Sequence, residues 1–203
     1  FDGAPLKTLS VRVTEGKFTI DCIVPGGKAW TPAAPHLHTV TLRCADDEIV
    51  ERFGIRTVRC SKGEILLNGK PVRHKGYNRH DTHPQFGPAM TPALWLEDPQ
   101  ILRDLNCNFI RGCHYPQNQE FLDLCDQLGF LVWEESLGWG DRVEVQENPK
   151  FRELQKRQTV NMVRTSINHP SVIIWGFMNE GGDDKEVGAS LMRELAGLIR
   201  QED

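Results

Sequence analysis

The run Ser171-Val172-Ile173-Ile174-Trp175-Gly176-Phe177-Met178 ends in an amide and a carboxyl, Asn179-Glu180, followed by Gly181-Gly182. A nearly continuous apolar run of this length reads as a strand buried on both faces. A carboxyl held between apolar walls at its end keeps a proton more readily, because desolvation disfavours the charged form, and that suits a general acid. Taken alone, a Glu at a strand end is as readily an ordinary helix-start or surface residue. Upstream, His80, His83 and His114 lie close in sequence to Arg79 and Arg111. A metal site is one reading of these histidines, but an arginine beside each repels a cation. Imidazole and guanidinium N–H groups also donate to ligand hydroxyls, which is the better use of such a set. For each histidine separately, a ring merely satisfied by backbone groups is the plain alternative. The pair Glu134-Glu135 offers further carboxylates at another strand end. One of them working with Glu180 is a further way to assemble an acid and a base.

Composition narrows the partners. The chain has 203 residues, a formal charge of −4 and no basic block, which argues against a nucleic-acid or anionic-membrane surface. No apolar stretch approaches the ~18 residues of a membrane span. Cys22, Cys44, Cys60, Cys107, Cys113 and Cys125 form no CxxC pair, so free thiols are expected rather than a structural zinc site or a disulfide framework. Phe1-Asp2-Gly3-Ala4-Pro5 has no charged-then-apolar targeting pattern and reads as a cut inside a longer protein, with the cytoplasm the favoured compartment.

Two textures meet near Gly54. Residues 9–13, 18–21 and 39–43 alternate with the period of half-buried strands, around a Pro- and Gly-rich loop over 25–35. So few strands do not close a sandwich, which predicts the C-terminal part of one. A hairpin follows through Asn68-Gly69, a pair that supplies the positive φ angles of a type I′ turn. Beyond it, strands are expected over 72–77, 109–113, 130–133 and 172–178. Each is followed by a helix: one opening at Asp98-Pro99 with Ile101, Leu102 and Leu105 on a face, and one carrying Phe121, Leu124, Cys125 and Leu128 up to Gly129. A third is expected over 149–167, and a fourth carrying Val187, Leu191, Leu195 and Leu198. Alternating strands and helices imply a parallel sheet. Each strand ends in a polar cluster, the pattern of a (β/α)8 barrel, and no glycine-rich phosphate loop supports the nucleotide-binding alternative. The fold class expected is α/β, the N-terminal half of a TIM barrel, since about 250 residues make a whole one.

The segments Arg52-Phe53-Gly54-Ile55-Arg56, Leu67-Asn68-Gly69-Lys70-Pro71, Lys75-Gly76-Tyr77-Asn78-Arg79-His80-Asp81, Ile110-Arg111-Gly112-Cys113-His114-Tyr115-Pro116, Leu124-Cys125-Asp126-Gln127-Leu128-Gly129 and Asn168-His169-Pro170 through Glu180 occur in that order. Together they resemble glycoside hydrolase family 2, the family of β-galactosidases, β-glucuronidases and β-mannosidases. The resemblance implies that residues 1–58 are the C-terminal part of an immunoglobulin-like β-sandwich and residues 59–203 the first half of the catalytic barrel. It implies a retaining exo-β-glycosidase, β-galactosides foremost, from a parent that is a homo-oligomer. Glu180 matches the acid/base, Asn179 the residue that binds the sugar 2-hydroxyl, and Arg111, His114 and His80 the residues lining the sugar site. Trp175 and Tyr115 are expected to shape the wall. The family's nucleophile is a Glu on a later strand, beyond Asp203, so the chain by itself is expected to be an inactive piece or a sugar-binding scaffold. Metal-dependent members bind magnesium through a Glu and a His where Gly138 and Gly140 stand here, so no cofactor is expected and Trp139 is free to pack beside substrate.

Overall fold

A computed structural model of the chain describes residues 1–5, 16, 18–182 and 184–203. Strands β1 (His38–Cys44) and β2 (Asp47–Phe53) pair antiparallel, with Leu42 opposite Ile49. The expected strand over 9–13 lies outside the described residues. No strand forms over 18–21: Phe18 and Ile20, its apolar positions, stay exposed among the described residues, and alternation left uncovered does not hold a strand. Strands β3 (Val58–Ser61), β4 (Glu64–Leu67) and β5 (Lys70–Pro71) form a second antiparallel sheet. Its tight turn has Asn68 at φ 50° and Gly69 at φ 76°, as the Asn-Gly pair requires.

Four parallel strands follow in sequential order, β6 (Gly76–Arg79), β7 (Phe109–Gly112), β8 (Leu131–Glu135) and β9 (Val172–Gly176). Helices α1 (Pro92–Asp104), α2 (Gln119–Leu128), α3 (Val143–Gln146), α4 (Pro149–Ser166) and α5 (Glu186–Glu202) connect and follow them. Strand β6 begins later than the expected Val72, because the Val72 N–H is already donated to Ile65 O, 3.0 Å away, in the preceding sheet. Helix α1 also departs from expectation. It opens at Pro92 and runs through Pro99, and its buried face is Trp95, Pro99 and Leu102, while Ile101 and Leu105 are exposed. An interior proline costs about 3 kcal/mol of helix stability. Here the extra N-terminal turns bury Trp95 and aim its indole N–H at Asp81 Oδ1, 3.0 Å away. The core between sheet and helices is Trp95, Ile110, Phe121, Leu122, Cys125 and Val132 with their neighbours.

The other end of the parallel strands is closed by the N-terminal segment. Trp30, Leu67 and Leu131 are buried together, packed by Val58, Val72, Phe109 and Ile173. Arg56 donates to Pro170 O at 3.0 Å and Val172 O at 2.6 Å, and the Trp30 indole donates to Asp126 O at 2.8 Å. Asp126 accepts from His169 Nδ1 at 2.6 Å and Ser171 N at 3.0 Å, tying α2 to the start of β9. Gly129 caps α2 at φ 76°, and a Cβ there would overlap the Pro32 carbonyl of the docked segment. A left-handed residue with a side chain costs about 1–2 kcal/mol before any clash. Gly129→Ala should therefore lower stability by at least about 2 kcal/mol in urea titration; a loss under half of that would show that the segment yields freely.

Candidate active site

Side chains alternate across a strand, so Asn78, Arg111 and Trp133, aligned across β6, β7 and β8, share one face, and Glu135 shares it two residues on. Arg111 organises that face. Its Nε donates to Glu135 Oε1 at 2.6 Å, one Nη to Asn179 Oδ1 at 2.8 Å and the other to Asn78 Oδ1 at 3.3 Å. The guanidinium lies 5.2 Å from the Trp133 ring centroid. The second Glu135 oxygen, Oε2, accepts from His114 Nδ1 at 2.8 Å. Glu135 is 2% exposed, and a buried carboxylate is tolerated here because two cationic or N–H donors meet it. Gly176 stands opposite on β9, where any Cβ would overlap the Trp133 ring.

Asn179 is held at both backbone atoms by the loop after β8. Its N–H donates to Gly138 O and its carbonyl accepts from Gly140 N–H, each at 2.9 Å. Because Arg111 occupies Oδ1, the amide NH₂ is the free end, a donor set for a ligand oxygen. Glu180 follows at φ 53° and is exposed. The apolar walls expected around its carboxyl are thus not supplied by the described residues, since the backbone turns sharply at Met178 (φ 52°) and carries Glu180 out of the packed layer.

Glu180, Asn179, Arg111, His114 and His80 all fall at or just beyond the C-terminal ends of β6, β7 and β9. His80 is exposed, its ring 5.3 Å from that of His114 and 6.3 Å from that of Tyr115. His83 is not brought in: it pairs with Gly87 in a turn of its own. Arg79 faces the helices rather than the ligand face, buried against Phe121 and bonded to Asp98, Asp81 and Gln117. Trp175 likewise points outward, donating to Asp203 at 2.7 Å. Tyr115 accepts from the Asp81 N–H at 2.8 Å and so shapes the wall.

Glu134 points away from the site. It is fully buried between β8 and the helices, where burial pushes its carboxyl up to about 8 against the bonds from Gln117 N–H and Ser166 Oγ. The pairing of Glu134 or Glu135 with Glu180 is therefore discarded: one cannot reach a ligand, and the other is engaged by Arg111 and His114. The anchoring roles of Glu135 and Asn78 escaped the sequence reading, although period two along β8 already separates Glu134 from Glu135.

Gly138 and Gly140 offer no side-chain oxygen, and among the described residues no cluster of three metal-ligating side chains includes Glu180. An open groove of about 640 Å³ flanks the site, lined by Leu137, Trp139, Phe151, Leu154 and Asn161. Trp139 reaches back from it, its ring 6.3 Å from that of His114. Among the described residues no helix is long and apolar enough to cross a membrane.

The chain is similar in sequence and in fold to known proteins. The β-galactosidase of Thermoanaerobacter pseudethanolicus is 38% identical over 168 residues, 77% of this chain and 22% of that protein. The crystal structure of a GH2 β-galacturonidase from Eisenbergiella tayi bound to galacturonate superposes with a TM-score of 0.87 at 39% identity, covering 91% of this chain and 33% of that one. A β-D-glucuronidase structure from Dictyoglomus thermophilum gives a TM-score of 0.81 at 28% identity over 89% of this chain and 33% of its own. The chain thus spans between a fifth and a third of each relative. Residues 58–203 match the family described as Glycosyl hydrolases family 2, TIM barrel domain, and with the parallel strands and their polar ends in place, the chain belongs to that family.

Proposed function

We propose that this chain carries the acid/base side of a retaining exo-β-glycosidase that acts on galacto-configured substrates, terminal β-D-galactosides first. The observation that carries the reading is the Arg111 bridge. One guanidinium fixes Glu135 below and the Asn179 amide above, so that a hydrogen-bond donor stands immediately before Glu180. Asn179 then holds the sugar 2-hydroxyl, His114 and His80 face further hydroxyls, and Glu180 protonates the glycosidic oxygen and later activates water. The nucleophilic carboxylate of a retaining pair, about 5–5.5 Å from the acid, is proposed to come from another strand of the complete barrel. No cofactor takes part in this reading. Residues 1–58 are proposed as the end of an immunoglobulin-like sandwich: Leu42 and Ile49, paired and exposed, offer the apolar face a second sheet covers.

A β-galacturonide is the second reading, favoured by the galacturonate-bound relative, and it keeps the galacto configuration while oxidising C6. A panel of nitrophenyl β-glycosides separates these, run on the protein that carries this chain within a complete barrel. Galactoside or galacturonide should exceed the glucuronide and mannoside by about a hundredfold in kcat/KM, as expected where donors of the site are left unpaired by the wrong epimer. EDTA should leave the rate unreduced. A glucuronide or mannoside as best substrate would overturn the assignment.

A further inference from the structure

We propose that His80, Cys113 and His114 form a binding site for a thiophilic cation of the zinc class on the ligand face of the barrel strands. One ligand-capable atom from each residue lies within 4.8 Å of those of the other two. The two imidazole rings meet edge to face, and Cys113 is buried. Nitrogen and sulfur donors of this kind select zinc-like cations over magnesium. His114 is also prepared as a metal ligand. Its Nδ1 lies 2.8 Å from Glu135 Oε2, and an N–H donated there presents Nε2 as the lone-pair nitrogen, the carboxylate–histidine arrangement that orients imidazoles around zinc.

The repulsion that neighbouring arginines suggested in sequence is cancelled in the fold. Arg111 is paired with Glu135, and Arg79 with Asp81 and Asp98 on the opposite side of the sheet. Tetrahedral bonds of about 2.0–2.3 Å place ligand atoms roughly 3.3–3.6 Å apart, so atoms that lie within 4.8 Å of one another must close by up to about 1.5 Å. His80 is exposed and supplies that movement by side-chain rotation. On binding, the Cys113 thiol proton leaves to solvent and an Sγ–metal bond replaces it, with the fourth position open to water. If the sugar reading holds, a cation there occupies the imidazoles that face substrate and competes with it. The site itself does not depend on that reading.

Cobalt(II) tests this directly, because a thiolate–cobalt bond gives a near-ultraviolet charge-transfer band and a tetrahedral site gives visible d–d bands. The titration uses the chain with Cys22, Cys44, Cys60 and Cys107 replaced by Ser, so that the accessible thiols elsewhere are silent. Both bands should grow to one equivalent and vanish on adding zinc. Cys113→Ser should abolish the charge-transfer band. His80→Gln, at an exposed position that leaves the core intact, should weaken binding at least about tenfold. Failure of the band to appear in this background, its survival in Cys113→Ser, or unchanged affinity in His80→Gln would each overturn the site. None of these signals depends on turnover, so they stand apart from the glycosidase assignment.

Discussion

Glu180→Gln, in the protein that carries this chain within a complete barrel, should slow hydrolysis of alkyl β-galactosides by roughly 10²–10⁴-fold, the contribution of positioned acid–base catalysis. An alkoxide leaves poorly without a proton, and Gln cannot give one. A nitrophenolate leaves without help, so the first step with an aryl galactoside should suffer far less. The second step still needs water activated by the missing base, so the glycosyl-enzyme accumulates and a burst of nitrophenol is released. Azide attacks without a base and should restore turnover, giving the β-glycosyl azide with retained configuration. Glu180 is exposed and Gln keeps its shape, so the variant should fold normally. Asn179→Ala should behave otherwise, losing rate for every leaving group, because a 2-hydroxyl bond that strengthens in the transition state is indifferent to the aglycone. Equal losses on alkyl and aryl substrates in Glu180→Gln, with no azide effect, would remove Glu180 from the acid/base role.

The order of strands and helices was legible because barrel units repeat short, strongly patterned pieces. Helix α2 is the clearest case: an apolar stripe, then Gly129 in the left-handed conformation that ends it. The place of Asn179-Glu180 beyond a strand end was legible for a similar reason, since an apolar run that stops abruptly at polar residues marks such an end, although the strand closes at Gly176 rather than at the expected 178. What was not legible depends on which neighbour a side chain meets. Local signals place the start of α1 at Asp98-Pro99, yet the bond from Trp95 to Asp81 carries the helix back to Pro92. Arg79 and Arg111 look alike in sequence, and one residue of strand phase sends the first to the helices and the second to the site. The same phase splits Glu134 from Glu135, a difference no composition or spacing argument could weigh without knowing which face the helices cover. Residues 18–21 alternate as a strand does but lack a partner layer among the described residues.

That split has a measurable consequence for Glu134. Its carboxyl titrates near 4.5 in the unfolded chain and near 8 when folded, because burial disfavours its charge. Between those values the folded state holds a proton that the unfolded state has released, so stability falls as pH rises. The contribution is complete below pH 4.5 and lost on approaching about 8, the reverse of a salt-bridged carboxylate. At about 1.4 kcal/mol per pH unit this removes roughly 4–5 kcal/mol over the window. Domains of this kind are stable by about 5–15 kcal/mol, so the loss is a large share of the total. Glu134→Gln is neutral at every pH and keeps an oxygen to accept from Gln117 N–H. It should match the parent at pH 5 within about 1 kcal/mol, since a neutral amide replaces a neutral acid of the same shape. At pH 8.5 it should be the more stable protein by about 4 kcal/mol. Urea titrations of both proteins from pH 5 to 8.5 decide the matter: parallel stability curves would show that Glu134 does not carry the buried proton.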